Sequence, residues 1–420
     1  MKKMILLFVI LFVVILIIYM IPAIRKDFFK SYSKKDTASM SLDEFMQKPT
    51  KTIEVAGIKW QYLTYGNGDK TIVFAHGMGG AYNLWWQQMA YFKDHYRVLS
   101  YSLPEEINNL EDASKGILKI LEKEKIENFY LVGTSMGGYI AQYLTHKIPE
   151  RIEKVVFSNT FPPNILIETK NKKKSEIIPW MPEILISYFG QKKLHSDIVP
   201  AANNSKLLEA FLPSLPFSKK QFINRYYVVV DKFIPTPCLY KIKRIPKLII
   251  ESDNDPLVEK SLRENLKETY PDASVFTFHN QGHFPYINDA DKYNKVLDDF
   301  FKSENEYKKL EQTIASYFNG RRDANITLLQ QAFSKNANLF TVKNSVILKI
   351  SLENYFKKVM QDGKTKVKTT ILNADILRNM AICKTRFDYP NKSYVDYLTL
   401  LKVKDNWKIT TKNFVLLDEK

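Results

Sequence analysis

The chain of 420 residues is too long for one ordinary domain and can bury two or three cores. It is 45% hydrophobic and 13% aromatic, with 14 Gly, 18 Pro and only two cysteines, Cys238 and Cys383. Those values exclude a disordered, collagen-like or low-complexity protein, a disulfide scaffold and a cysteine-built zinc site. The net charge of +17 raises nucleic acid as a partner, but its distribution argues against one. Residues 305–420 carry 21 Lys and Arg against 11 Asp and Glu, mostly lysines spread singly through strand-like runs.

Residues 4–24 contain no charged residue and are mostly Leu, Ile, Val and Phe. As a helix rising about 1.5 Å per residue they would span roughly 30 Å, the thickness of a bilayer's hydrocarbon layer. The run is longer than a signal-peptide core and ends without a small-x-small site. The expectation is a single-pass transmembrane anchor at 4–24 and a membrane location. Its side is left open, because Lys2 and Lys3 precede the span while Arg25, Lys26, Lys30, Lys34 and Lys35 follow it.

Residues 37–50 are polar and read as a linker or a capping turn. Beyond them, short apolar runs alternate with helical patterns, the signature of a mostly parallel sheet covered on both faces. Strands are expected at 71–75, 97–101, 128–132, 154–158, 247–251 and 274–278, with helices at 112–124 and 139–146. The run 128–132 leads straight into Gly133-Thr134-Ser135-Met136-Gly137-Gly138. Strand, Gly-x-Ser-x-Gly, then helix is the context of a nucleophile elbow. A serine on so sharp a turn needs small neighbours, and the helix N-terminus aims N–H groups at a developing oxyanion.

Ser135 would need a base, and the base an orienting acid, each following a later strand. Ser252-Asp253-Asn254-Asp255-Pro256 offers two acids; Asp255 is preferred at the loop apex, with Asp253 as the alternative. Gln281-Gly282-His283-Phe284-Pro285 supplies His283, with His279 at a strand end as its rival. The oxyanion donors expected are the N–H groups of Met136 and of Met78, the latter in His76-Gly77-Met78-Gly79-Gly80. The six histidines are scattered without a His-Glu-x-x-His or paired-acid motif, so neither metal nor cofactor is expected.

Residues 50–304 resemble an alpha/beta-hydrolase, and more narrowly the maspardin branch of that superfamily. The narrower likeness rests on Phe129-Tyr-Leu-Val-Gly-Thr-Ser-Met-Gly-Gly-Tyr-Ile-Ala-Gln142, Ser158-Asn159-Thr160-Phe161, Trp180-Met181-Pro182, Tyr270-Pro271-Asp272-Ala273 and Phe284-Pro285-Tyr286. Animal maspardin lacks the triad histidine, whereas Gly282-His283 is present here, which implies retained chemistry. The resemblance implies an α/β fold with the hydrolase at 37–304 and a cap at about 162–246. An apolar cap stretch containing Ile177, Trp180, Ile186, Tyr188 and Phe189 would then line an acyl pocket.

Residues 304–308 are charged and mark a boundary. Helices are expected at 306–318, 325–333 and 352–360, a strand pair near 339–350, and strands at 365–373, 378–389, 392–402 and 407–416. Helices first and a long antiparallel meander last make an α+β cone. Tyr317-Phe-Asn-Gly320, Ala337-Asn338-Leu339, Asp396-Tyr-Leu-Thr-Leu-Leu-Lys402 and Trp407-Lys408-Ile409 resemble the nuclear transport factor 2-like fold, in its SnoaL-like, lumazine-binding lineage. With no histidine in 305–420, binding or homodimerisation is expected of this domain rather than catalysis. The functional expectation is a serine hydrolase of carboxylic esters or related acyl compounds; the alternative is a non-catalytic binding protein.

Overall fold

The computed structural model describes residues 2–417 and opens with a helix, α1 (Lys2–Met20). Among the described residues no helix is long and apolar enough to cross a membrane, so the expected anchor at 4–24 is not found. The reason is local. Pro22 disfavours helix in the residue before it, and α1 stops at Met20. Two of its 19 residues are lysines, and the remaining 17 rise only about 25 Å. The chain then runs along the first unit. Ala23 N–H donates to Glu183 Oε1 at 2.9 Å, Lys26 N–H to Pro213 O at 3.0 Å, and Phe28 is buried edge-on to Phe211. The membrane location expected from residues 4–24 is therefore corrected.

The stretch expected to be a linker or a capping turn is a capped helix. Asp36 and Ser39 form a reciprocal capping box that starts α2 (Thr37–Met46), and α2 buries Leu42 and Phe45. An eight-stranded sheet follows, from β1 (Lys51–Val55), β2 (Ile58–Tyr65), β3 (Thr71–Ala75), β4 (Arg97–Ser102), β5 (Phe129–Thr134), β6 (Ile152–Ser158), β7 (Lys247–Ser252) and β8 (Ser274–Phe278). Its order is β1-β2-β4-β3-β5-β6-β7-β8, with β2 antiparallel to both its neighbours, β1 and β4, and the other pairs parallel. Alternation builds two cores. Val73, Leu99, Leu131, Val155 and Ile249 face one way, while Ile72, Val98, Val132, Val156 and Ile250 face the other.

Helices follow several of these strands. After β5 comes α3 (Met136–Lys147); between β6 and β7 lie α4 (Leu166–Ile177) and α5 (Lys219–Val230); and α6 (Ala290–Lys302) follows β8. The apolar stretch expected to line a pocket is turned outward. Trp180 is 78% exposed, and Ile177, Tyr188 and Phe189 are exposed as well; Ile186 is buried.

The chain divides into two units: residues up to Pro237 with Ile245–Ser303, and Cys238–Arg244 with the chain from Glu304 onward. The second contains a six-stranded sheet from β9 (Phe333–Lys343), β10 (Val346–Ser351), β11 (Lys368–Leu377), β12 (Met380–Asp388), β13 (Ser393–Val403) and β14 (Asn406–Leu417). The order is β10-β9-β14-β13-β12-β11, antiparallel except where β14 meets β9. Helix α7 (Glu306–Arg322) buries Leu310, Ile314 and Tyr317 in this unit's core. The segment 238–244 is held here, with Tyr240 Oη donating to Glu311 Oε1 at 2.6 Å and Lys243 paired with Asp375.

Candidate active site

Ser135 stands between β5 and α3 with φ 53° and ψ −121°, in the left-handed region that a non-glycine residue rarely adopts. Its neighbours explain how the turn closes. A Cβ on Gly133 would lie 2.2 Å from Gly137 O, and one on Gly137 would lie 2.2 Å from Ala75 O. Nothing larger than glycine fits at either position. Ser135 N–H donates to Ser158 O at 3.0 Å, and Thr160 Oγ1 donates to Ser135 O at 2.6 Å. These bonds hold the strained turn from the β6 side.

Both candidate acids pair with a candidate histidine, and burial separates the pairs. His283 Nδ1 lies 2.8 Å from Asp255 Oδ2, and their side chains are 3% and 0% exposed. His279 Nδ1 lies 2.7 Å from Asp253 Oδ2, but those side chains are 71% and 44% exposed. Asp255 Oδ1 also accepts from Leu257 N–H at 2.8 Å and Val258 N–H at 3.0 Å, and Asn159 Nδ2 donates to Oδ2 at 3.0 Å. Burial alone would raise the Asp255 carboxyl, but its electrostatic interaction with His283 and these hydrogen bonds together hold it below its ordinary value. Nδ1 is the ring nitrogen that faces the acid. Ser135 is partly exposed, and no hydrogen bond joins its Oγ to the imidazole among the described residues.

Asn159 was quoted in the sequence only as part of a motif. In the structure its φ of 41° turns the side chain between Ser252 Oγ, Asp255 and Gly282 O. Asn is among the residues that tolerate this conformation, and that was its one local signal.

The loop after β3 runs beside Ser135: a Cβ on Gly77 would lie 3.2 Å from Ser135 Cβ. Met78 is half-buried within it, and Gly79 is exposed at its tip. Met136 opens α3, so its N–H lies outside the helical ladder. Leu103 N–H donates to His76 Nε2 at 2.9 Å, so the His76 proton is on Nδ1, 2.7 Å from Gly77 O. Burial, and then the charge of Arg225, lower the His76 pKa to about 3. The ring is neutral.

Residues 70–290 match the model of the family described as "alpha/beta hydrolase fold", and 305–415 match that of "Putative lumazine-binding". Over 252 residues the chain is 24% identical to pimeloyl-[acyl-carrier protein] methyl ester esterase of Hamiltonella defensa, covering 56% of this chain and 95% of that protein. It is 29% identical over 118 residues to 3-oxoadipate enol-lactonase 2 of Acinetobacter baylyi, covering 26% of this chain but only 44% of that relative. A solved hydrolase from Pseudomonas aeruginosa superposes with a TM-score of 0.54 at 18% identity, over 61% of this chain and all of that one. None of these matches narrows the hydrolase to the maspardin branch. With more than half its length in the hydrolase match, the chain belongs to the alpha/beta hydrolase fold family.

Proposed function

We propose that the protein is a serine hydrolase cleaving carboxylic esters or closely related acyl compounds. Two observations carry this reading together, the buried Asp255–His283 pair and the strained, partly exposed Ser135. Two relatives named for a methyl ester and for an enol-lactone support ester bonds as the class.

In this reading His283 Nε2 takes the Ser135 Oγ proton as Oγ bonds to the acyl carbon. The carbonyl oxygen becomes an oxyanion, met by the N–H groups of Met78 and Met136. Collapse of the tetrahedral intermediate breaks the bond to the leaving oxygen, which takes the proton from His283. Water, deprotonated by His283, then attacks the acyl-serine, and collapse returns the proton to Oγ. Asp255 accepts from Nδ1–H throughout, fixing the tautomer and stabilising the imidazolium.

The direct test is labelling by a fluorophosphonate probe, which requires an activated serine. Labelling should localise to Ser135, disappear in Ser135→Ala and slow sharply in His283→Ala. Equal labelling in wild type and Ser135→Ala would sink the proposal.

A further inference from the structure

Arg225, on α5, is buried, and among the described residues no carboxylate pairs with it. Its guanidinium is held by backbone carbonyls instead. Nη1 donates to Met78 O at 2.7 Å and Gly80 O at 2.9 Å, and Nη2 donates to Leu103 O at 2.8 Å. With the Gln221 amide oxygen turned towards it, that oxygen accepts from Nη2 at 2.7 Å. Desolvation lowers the Arg225 pKa to about 9, which leaves it charged at neutral pH.

Two of those three carbonyls belong to the loop over Ser135. The third belongs to Leu103, whose N–H fixes His76. His76 in turn binds Gly77 O, which also accepts from Gly80 N–H at 2.9 Å. A trans peptide directs its N–H opposite to its C=O. Holding Gly77 O inside the loop therefore turns Met78 N–H outward, and Arg225 holds the next carbonyl, Met78 O. Both peptide planes that flank Met78 are pinned, and the outer pin comes from the segment between β6 and β7.

We propose that Arg225 is a positioning residue of the oxyanion loop, fixing the Met78 peptide and so tying that loop to the cap. The inference rests on the hydrolytic reading above. It makes the cap part of the machinery rather than a cover alone: an α5 that shifts away releases the loop and disarms the site. A guanidinium fork suits three diverging carbonyls, which an ammonium cannot reproduce.

The test uses the full chain with Arg225→Met and Arg225→Lys. One readout is turnover of p-nitrophenyl butyrate, and the other is backbone amide exchange at Gly80 and Leu103. In Arg225→Met, kcat should fall about 10²-fold with KM changed less than about threefold, as for loss of an oxyanion donor. Exchange at both amides should quicken at least tenfold. Arg225→Lys should recover part of kcat and part of the protection, and it decides the matter if the Met variant does not fold. Wild-type kcat in the variant that folds, or a lost kcat with unchanged amide protection, would overturn the proposal. If wild type proves no faster than Ser135→Ala, the hydrolytic reading fails on its own. Amide exchange would still decide whether Arg225 holds the loop, and unchanged exchange would overturn its role.

Discussion

Among the described residues each unit buries one aspartate against a cation-forming partner, and the two aspartates meet different backbone surroundings. Asp255 lies in a loop past the end of β7, where backbone N–H groups are not committed to a sheet ladder. Two of them and Asn159 carry its charge together with His283, which faces it through Nδ1. Asp396 lies within β13, whose backbone groups are used by β12 and β14. Only side chains remain to neutralise it: Lys412 pairs with it and Tyr317 Oη donates at 2.6 Å. Lys412 is itself ringed by Tyr317, Phe387 and Phe414. Burial lowers the Lys412 pKa, with Asp396 pulling the other way. The lesson is positional: an acid past a strand end can take backbone N–H groups as partners, whereas one inside a strand must be neutralised by side chains.

The largest expected effect lies on the hydrolase side. Ser135→Ala and His283→Ala should each lower kcat on a p-nitrophenyl ester by about 10⁵-fold or more, and the double variant hardly further, because the two act as one unit. Asp255→Asn should cost about 10⁴-fold. The exposed pair is the internal control: Asp253→Asn and His279→Ala should leave most of the rate, and a collapse there would reassign acid and base.

Next comes the sealed pair. Lys412→Met should lower stability by about 3–5 kcal/mol in chemical denaturation, since it strands a buried carboxylate. Adding Asp396→Asn should restore much of that, keeping an acceptor for Tyr317 without the charge. Ester turnover should be unchanged in both variants. A kcat effect would place the second unit in the chemistry and erase the contrast drawn above.

Asn159→Ala sharpens the comparison on the hydrolase side. It removes one hydrogen bond to a charged group, worth about 1.5 kcal/mol, and should lower kcat roughly tenfold. It should also move the Asp255 carboxyl up towards its ordinary value. A carboxylate with a lowered folded pKa stabilises above its unfolded pKa, and that stability is lost as pH falls through the folded pKa. In Asn159→Ala the loss begins at higher pH, so the acid-unfolding midpoint should rise. An unmoved midpoint would show that Asn159 does not carry the charge.

The smallest effect tests burial without a carboxylate. Lys154 Nζ is held by the carbonyls of Phe300 and Phe301 near the end of α6 and by Ser303, and burial brings its pKa down to about 8. Between there and 10.5 the unfolded chain binds a proton that the folded one has released. Stability from this group therefore rises with pH across that window. The stability of wild type relative to Lys154→Met should climb over the same range; a flat difference would count against a neutral Lys154 in the fold.

Much of this arrangement could be read from residues alone, because strand-turn-helix contexts leave local marks. Gly133 and Gly137 signal the elbow through their size, and Asp255 and His283 each follow a short strand with an apolar centre. What escaped was set by distant partners. Arg225 lies in a helix without a clean stripe, and nothing near it in sequence indicates three carbonyls more than a hundred residues away. The hairpin of β1 and β2 was missed because Ala56, not Asn, takes the first left-handed position before Gly57, at φ 51° and 78°. Residues 4–24 misled for another reason: hydropathy counts side chains, whereas span depends on where the helix stops.

The segment 238–244 has a consequence for how such fusions arise and come apart. The chain leaves the hydrolase unit after Pro237, spends seven residues within the second unit, and returns at Ile245 to enter β7, the strand that leads to Asp255. The two units are thus stitched by three crossings of one chain rather than joined by a single hinge. A stop codon after Ser303 would strip Tyr240 and Lys243 of Glu311 and Asp375, leaving a basic, aromatic loop directly upstream of that strand. Gain or loss of the second unit by descent would therefore have required rewriting this stitch as well as the C-terminus.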